Sequence, residues 1–283
     1  MITIKNEYIT AVFSELGAEL KSVQYGGREY IWNSDAKYWA ESSPILFPIC
    51  SRLKDDEYIL DGKAYPMGMH GFAKKSLFEA ESAGKDNVTF LLKSNKETLK
   101  SYPFSFELRI KYLLEGKKLR VLYEVKNLSE KEMYFSIGAH EGYFCPEGIE
   151  EYDIVFDKKT TLKASVLENK LLGDKKLTVI ENGDVLPLKN KYFEIDALIF
   201  KNIDFSGLKL RKKDGLREIR VCFNGFPYLL LWTKYGAPYI CIEPWCGITD
   251  NINTDKNIKT KEGINSIAPN DIWTIEHSFE ILK

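Results

Sequence analysis

The chain reads as an all-β protein: a large antiparallel β-sandwich with few short helices. Three observations predict this. Apolar and polar residues alternate without a break over 104–112, where Phe104, Phe106, Leu108, Ile110 and Tyr112 share one face, and nearly as strictly over 119–126. Such alternation marks a half-buried strand. More than a dozen strand-like segments follow one another with turn signals between them, too many for one immunoglobulin-sized sandwich. Finally, 44% hydrophobic and 13% aromatic residues in 283 supply enough apolar surface for a sizeable core. With no internal repeat and no low-complexity linker, residues 1–283 are taken as one domain.

In chain order, strands are expected at 8–13, 18–25, 77–82 and 87–94. The pair 104–112 and 119–126 follows, with a glycine-containing hairpin turn at 113–118. Further strands fall at 132–140, 219–223, 228–233, 238–243 and 273–282. Helical signals are short, at 36–39, 95–101 and 166–172. The Lys-rich stretch 156–176 reads as a solvated excursion.

Composition excludes several classes. Lys+Arg is 40 and Asp+Glu is 41, for a formal net charge of -1. No basic excess is available to displace counterions from a nucleic acid. Five cysteines at 50, 145, 222, 241 and 246 show neither disulfide-scaffold nor usual zinc spacing, and are expected to be reduced. No stretch approaches the ~18 apolar residues of a membrane span, and no signal peptide opens the chain. The expectation is a soluble, cytoplasmic protein without a membrane or nucleic-acid partner, acting on a neutral or lightly charged small molecule.

Chemistry gathers at three places. His70 lies in Met67-Gly-Met-His-Gly-Phe-Ala73, and His140 in Ile137-Gly-Ala-His-Glu-Gly-Tyr143. Glu243 ends an apolar strand in Tyr239-Ile-Cys-Ile-Glu-Pro-Trp-Cys-Gly247. Alternation puts Met133, Phe135, Ile137 and Ala139 on one face, and Tyr134, Ser136, Gly138 and His140 on the other. It likewise separates Ile240 and Ile242 from Tyr239, Cys241 and Glu243. Both reactive residues therefore share faces with small or polar neighbours, which leaves room for a ligand. An acid and a base suited to proton transfer would face one concavity. Trp245, beside Glu243, is expected to bind substrate as a sugar-stacking platform. Structural readings stand beside these: His70 as a loop cap, Arg52 as a surface arginine, Trp245 as core. His277, among Trp273, Ile275, Phe279 and Ile281, reads as a buried structural histidine.

In order and spacing, Gly17-Ala-Glu-Leu-Lys-Ser-Val23, Tyr38-Trp39, Pro44-Ile-Leu-Phe-Pro48 with Arg52, His70-Gly-Phe-Ala73, Gly138-Ala-His140 and Ile242-Glu-Pro-Trp-Cys-Gly247 resemble the aldose 1-epimerase (galactose mutarotase-like) family, in its LacX-like branch. The resemblance runs nearly end to end. It implies a galactose mutarotase-like supersandwich with a sugar site on a concave sheet. It implies interconversion of hexose anomers by ring opening, without a cofactor or metal, in a monomer or homodimer. Glu243 would be the general base and His140, as imidazolium, the general acid. His70 and Arg52 would hold sugar oxygens, and Asp196 is placed as the family's substrate-binding aspartate. Glu141 stands where the family usually has proline, and Ser51 where it usually has glycine. Other readings remain open: a metal held by the histidines and Glu243, a non-catalytic carbohydrate-binding protein, a hexose-6-phosphate epimerase, and a glycoside hydrolase or lyase. The hydrolase would need a second carboxylate facing Glu243, and Glu141 alternates away.

Overall fold

The two segments of strictest alternation become the strands Phe106–Glu115 and Lys118–Asn127, paired along their whole length. Their hairpin is tighter than 113–118: only Gly116 and Lys117 turn, with Gly116 at φ 59°, a conformation that costs a residue without Cβ little. A computed structural model describes residues 1–283 and shows that this hairpin sits inside a fourteen-stranded antiparallel sheet. One end of the sheet runs outward through Asn87–Lys93 to Glu79–Ala83. The other runs through Ile272–Ile281, Glu218–Cys222, Gly207–Lys212 and Tyr152–Glu168 to Leu198–Lys201, Tyr228–Trp232 and Tyr239–Cys246. A four-stranded sheet, Ile2–Glu29, covers the hairpin side: Phe13 packs 4.4 Å from the Tyr112 ring, and the Tyr112 hydroxyl donates to Ala18 O. Sixty-five buried residues drawn from Ile4 to Ile281 form one continuous apolar cluster between these layers. The family of folds is the one expected.

Several local expectations are corrected. Residues 36–39 form a turn held by two N–H bonds to Asp35 O, not a helix. Of 95–101, only Thr98–Ser101 is helical. The strand expected at 132–140 breaks in two. Met133–Phe135 pairs with Asn265–Ile267, then Ile137–Gly138 crosses to the large sheet. The break falls at Ser136, whose N–H is drawn to Pro48 O.

The Lys-rich stretch 156–176, expected as a solvated excursion, is strand for most of its length. Tyr152–Glu168 and Leu171–Pro187 form a long paired hairpin, and the helix expected at 166–172 is its tip. Asn169 and Lys170 turn with φ of 52° and 68°, the two left-handed positions of a tight hairpin. Many of its side chains face water, so the alternation that would reveal a strand is absent. Strands Glu57–Leu60 and Lys63–Pro66 were also missed. All five cysteines are free, and no helix is long and apolar enough to cross a membrane.

His277 is buried as expected, but it is not alone. Its Nε2 lies 3.0 Å from Glu141 Oε1, with both side chains almost fully enclosed, and its ring stacks on Tyr123 at 5.6 Å. His277→Ala would leave a buried carboxyl without its partner and a hole beside Tyr123. We expect a loss of about 2–4 kcal/mol in urea unfolding, with far less effect on turnover than His140→Ala. An unchanged unfolding midpoint would show that the pair contributes nothing to stability.

Candidate functional site

The site is set by register. Strand Tyr239–Cys246 pairs with Ile137–Gly138 through Gly138↔Trp245 and with Glu141–Phe144 through Glu141↔Ile242. The same register carried across the two-residue gap puts Ala139 opposite Pro244 and His140 opposite Glu243. Pro244 has no N–H to give the ladder, so the gap falls where the strand can tolerate it; Ala139 N–H still donates to Pro244 O. Directly opposed residues in antiparallel strands point to the same face. His140 Nε2 accordingly sits 3.4 Å from Glu243 Oε2. Ile240, Ile242, Ile137 and Ala139 go into the core, so the alternation correctly identified both faces.

Above this pair opens a cleft of 430 Å³. It brings together every residue singled out from sequence: Arg52, His70, His140, Asp196, Glu243 and Trp245. A larger surface cleft of 630 Å³, around Tyr65, Phe104 and Tyr134, shares none of them. Volume alone does not mark the site; converging titratable groups do.

His70 sits at φ 65°, in the left-handed region that histidine tolerates better than most residues. Two bonds lock it to the Arg52 loop: His70 N–H donates to Ser51 O, and Ser51 N–H donates to His70 Nδ1 at 3.1 Å. An accepting Nδ1 leaves the proton on Nε2. Gly71 has no substitute here, since a Cβ would meet Phe47 O at 2.2 Å. Ser51 itself adopts φ 59°. The family's usual glycine suits that backbone, and serine accepts the strain instead.

Trp245 is 2% exposed and donates its indole N–H to Ala139 O. It forms the floor, made possible by Gly138, where a Cβ would strike the indole at 2.4 Å. The half-buried aromatic walls are Trp39 and Trp232, which sequence reading did not assign to the cleft. Trp39 lies 4.9 Å over His140, and Trp232 stands edge-on at 5.7 Å. Lys74, Glu41, Lys170 and Lys234 were likewise not assigned to it. Of the lysines near Arg52 in sequence, only Lys74 lines the cleft, ion-paired to Glu41 at 3.0 Å. Lys54 instead donates to Ile252 O. Asp196 is exposed at the rim.

Burial sets the protonation states. The aromatic box strips water from His140 and drives its pKa down to about 3, with Lys74 adding repulsion. Burial pushes the Glu243 carboxyl well up, and the negative charges of Glu141 and Asp196 push the same way. Burial, with His140 and nearby cations, holds His70 well below its ordinary value. With water excluded, burial works against a standing imidazolium and favours the proton of the pair on the carboxyl. Glu243 Oε2 and His140 Nδ1 are fully enclosed and find no hydrogen-bond partner in the protein.

His140, Cys241 and Glu243 bring three potential metal-ligand atoms within 4.8 Å of one another. Burial, Glu243 and Glu141 push the Cys241 thiol well up.

Comparisons place the chain among known proteins. The sequence model of the family described as aldose 1-epimerase matches residues 1–280. The plasmid and chromosomal LacX proteins of Lactococcus lactis subsp. lactis are each 35% identical, over 99% of this chain and 98% of theirs. The crystal structure of a galactose mutarotase related enzyme from Lactobacillus acidophilus superposes with a TM-score of 0.95 at 33% identity, covering 100% of this chain and 97% of that one. A galactose mutarotase-like protein from Lactobacillus casei gives 0.93 at 29% identity, covering 99% of each chain.

The protonation states are directly measurable. A lowered pKa means that His140 gains its proton only well below the ordinary histidine range. Nitrogen NMR of the imidazoles is expected to show His140 neutral at pH 5. A His140 midpoint near 6.5 would contradict the burial argument.

Proposed function

The chain belongs to the aldose 1-epimerase family, and from that premise and the cleft's geometry we propose that it interconverts the α and β anomers of a hexose by acid–base ring opening. The observation that carries this reading is the opposed pair of His140 and Glu243, 3.4 Å apart at the bottom of a cleft walled by indoles.

Mutarotation needs a proton removed from the C1 hydroxyl and one delivered to the ring oxygen. The ring opens, the aldehyde turns about C1–C2, and reclosure yields the other anomer. Glu243 takes the hydroxyl proton and His140 delivers one to the ring oxygen; each is restored on closure. The chemistry needs one proton between the two groups. Protein burial favours leaving it on the carboxyl. Sugar oxygens bonding to the two side chains would offset the desolvation that keeps the charged pair from forming. His70 Nε2–H and the Arg52 guanidinium hold sugar oxygens from one side and Asp196 from the rim, over the Trp245 floor. The walls Trp39 and Trp232 suit the apolar face of a sugar ring.

One observation favours a second reading of the substrate. Arg52 and Lys170 line the cleft without an ion pair, facing only the rim charge of Asp196, whereas Lys234 donates to Lys37 O. Cations left free at a mouth suit an anionic substituent, so a phosphorylated hexose is the alternative substrate. Polarimetry on α-glucose, α-galactose and hexose 6-phosphates separates the two. Preference for the phosphate should fall in Lys170→Ala, while neutral sugars should be unaffected.

Glu243→Gln keeps the shape but cannot accept the proton. It should fold normally, still bind sugar, and lose roughly 10²–10⁴-fold in anomer exchange. Near-native turnover would remove Glu243 from the mechanism. A non-catalytic sugar-binding protein would instead show no turnover to lose.

The pH profile follows from the same shifts. The active form carries one proton on the pair. On the acidic side it is lost when His140 is also protonated, and that pKa is depressed. On the alkaline side it is lost when the carboxyl ionises, and that pKa is raised. Both limbs therefore move outward, and kcat/KM at pH 5 should stay within about two-fold of its value at pH 7. A limb centred near 6.5 would show that His140 titrates as an ordinary histidine. Activity that rises steadily to pH 9 and is abolished by EDTA would point to a metal hydroxide instead.

A further inference from the structure

Behind Arg52 lies a buried ion pair that the proton transfers do not use. Lys261 Nζ sits 2.7 Å from Asp250 Oδ1, with the side chains 4% and 3% exposed. Lys261 also donates to Ile248 O at 2.6 Å. The other oxygen of Asp250 accepts the Lys54 N–H at 2.9 Å. The Asp250 N–H donates to Arg52 O at 2.9 Å, and the same carbonyl accepts the Thr249 hydroxyl at 3.0 Å. On its far side, Asp250 O accepts the Leu172 N–H, and Leu172 O accepts the Ile252 N–H.

Asp250 thus meets three pieces of chain, through its backbone N–H and carbonyl and through a carboxylate that bonds Lys54 N–H and Lys261. The first is the Ser51–Lys54 loop that carries Arg52. The second is the hairpin tip, where Lys170 stands two residues before Leu172. The third is the segment leaving strand Tyr239–Cys246, which carries Glu243. Arg52 and Lys170 both line the cleft. Stability alone does not explain the choice of residues. A buried ion pair recovers little beyond its desolvation cost, and apolar residues of similar size often serve a core as well. What apolar residues cannot do is accept directed bonds from two separate segments at once.

We infer that Asp250 and Lys261 are a positioning pair that holds Arg52 and the hairpin tip in place for the sugar. The pair touches no reacting atom. It pins the Thr249–Asp250 segment, whose Thr249 hydroxyl and Asp250 N–H both donate to Arg52 O, and its carboxylate holds the Lys54 N–H of the same loop, which together set the direction in which the guanidinium leaves the backbone. The inference rests on the proposed role of Arg52 as a sugar ligand. If it holds, damage to the pair appears in sugar binding and leaves the chemical step intact.

The test is a double-mutant cycle on anomer exchange, with unfolding midpoints measured alongside. Asp250→Asn keeps an acceptor for Lys261 but loses the charge, and is expected to raise KM about ten-fold with kcat within about three-fold. Should that variant fail to fold, Thr249→Val decides. It removes only the hydroxyl bond to Arg52 O, and is expected to raise KM about three-fold without lowering the unfolding midpoint. In an Arg52→Ala background, either change should add less than about two-fold in KM, because the residue being positioned is gone. An unaltered KM in folded variants, or effects that multiply with Arg52→Ala, would overturn the inference and leave the proposed function standing. An unaltered KM in Arg52→Ala itself would remove Arg52 from the sugar site, and the inference with it.

Discussion

The site depends on one register. Gly138↔Trp245 and Glu141↔Ile242 are ladder pairs, and together they force His140 opposite Glu243. A slip of one residue would turn Glu243 into the core and bring Ile242 into the cleft. The register is held from both sides, because Tyr228–Trp232 pairs along the other edge of the same strand. The opposed geometry of His140 and Glu243 is thus secured by backbone bonds of a strand whose eight residues are all buried. Side-chain packing then only has to refine it. Pro244, which weakens a strand elsewhere, costs little here because its missing N–H falls in the gap beside His140.

Burying both partners gives the pair its chemistry. Indoles on two sides of His140 remove the water that would stabilise an imidazolium. The same dryness, with Glu141 and Asp196 not far off, keeps a proton on Glu243. Two groups whose ordinary values lie about two units apart are pushed past each other, and the pair holds its single proton over a wide range of pH. Glu141, standing where the family usually has proline, is part of this arrangement. It faces the core, where His277 answers it at 3.0 Å. This chain therefore keeps a second histidine–glutamate pair on the opposite side of the sheet from the first.

What was legible in the sequence follows from where alternation is physically enforced. Strands with one face in the core and one in water, such as 104–112, announce themselves. So do the faces of His140 and Glu243, because bulky aliphatics were confined to the core side. The long hairpin 152–187 was hidden because much of it is wet, and helix-forming residues at its tip mimic a helix. Its shape is enforced by distant partners, Leu172 bonding to Asp250 and Ile252, which no local pattern records. The cleft walls were hidden for a related reason. Trp39 lies in a turn and Trp232 at a strand end, and only folding brings both to His140.

This divides the molecule by function. The proposed base, Glu243, stands on a strand of the sheet and the proposed acid, His140, in the two-residue gap between two short strands paired to it. The groups that would distinguish one sugar from another, namely Arg52, Asp196, Lys170 and Lys234, stand on loops and on a hairpin tip. Loops tolerate change where sheet registers do not. A chain built this way could alter the ligand it takes by exchanging loop residues while the proposed proton-transfer pair stays fixed. It can do so only if those loops are anchored well enough to present a charge at a definite place. Arg52 meets that condition through bonds to its own carbonyl, not to its guanidinium, so the anchoring leaves its charge free to meet a ligand.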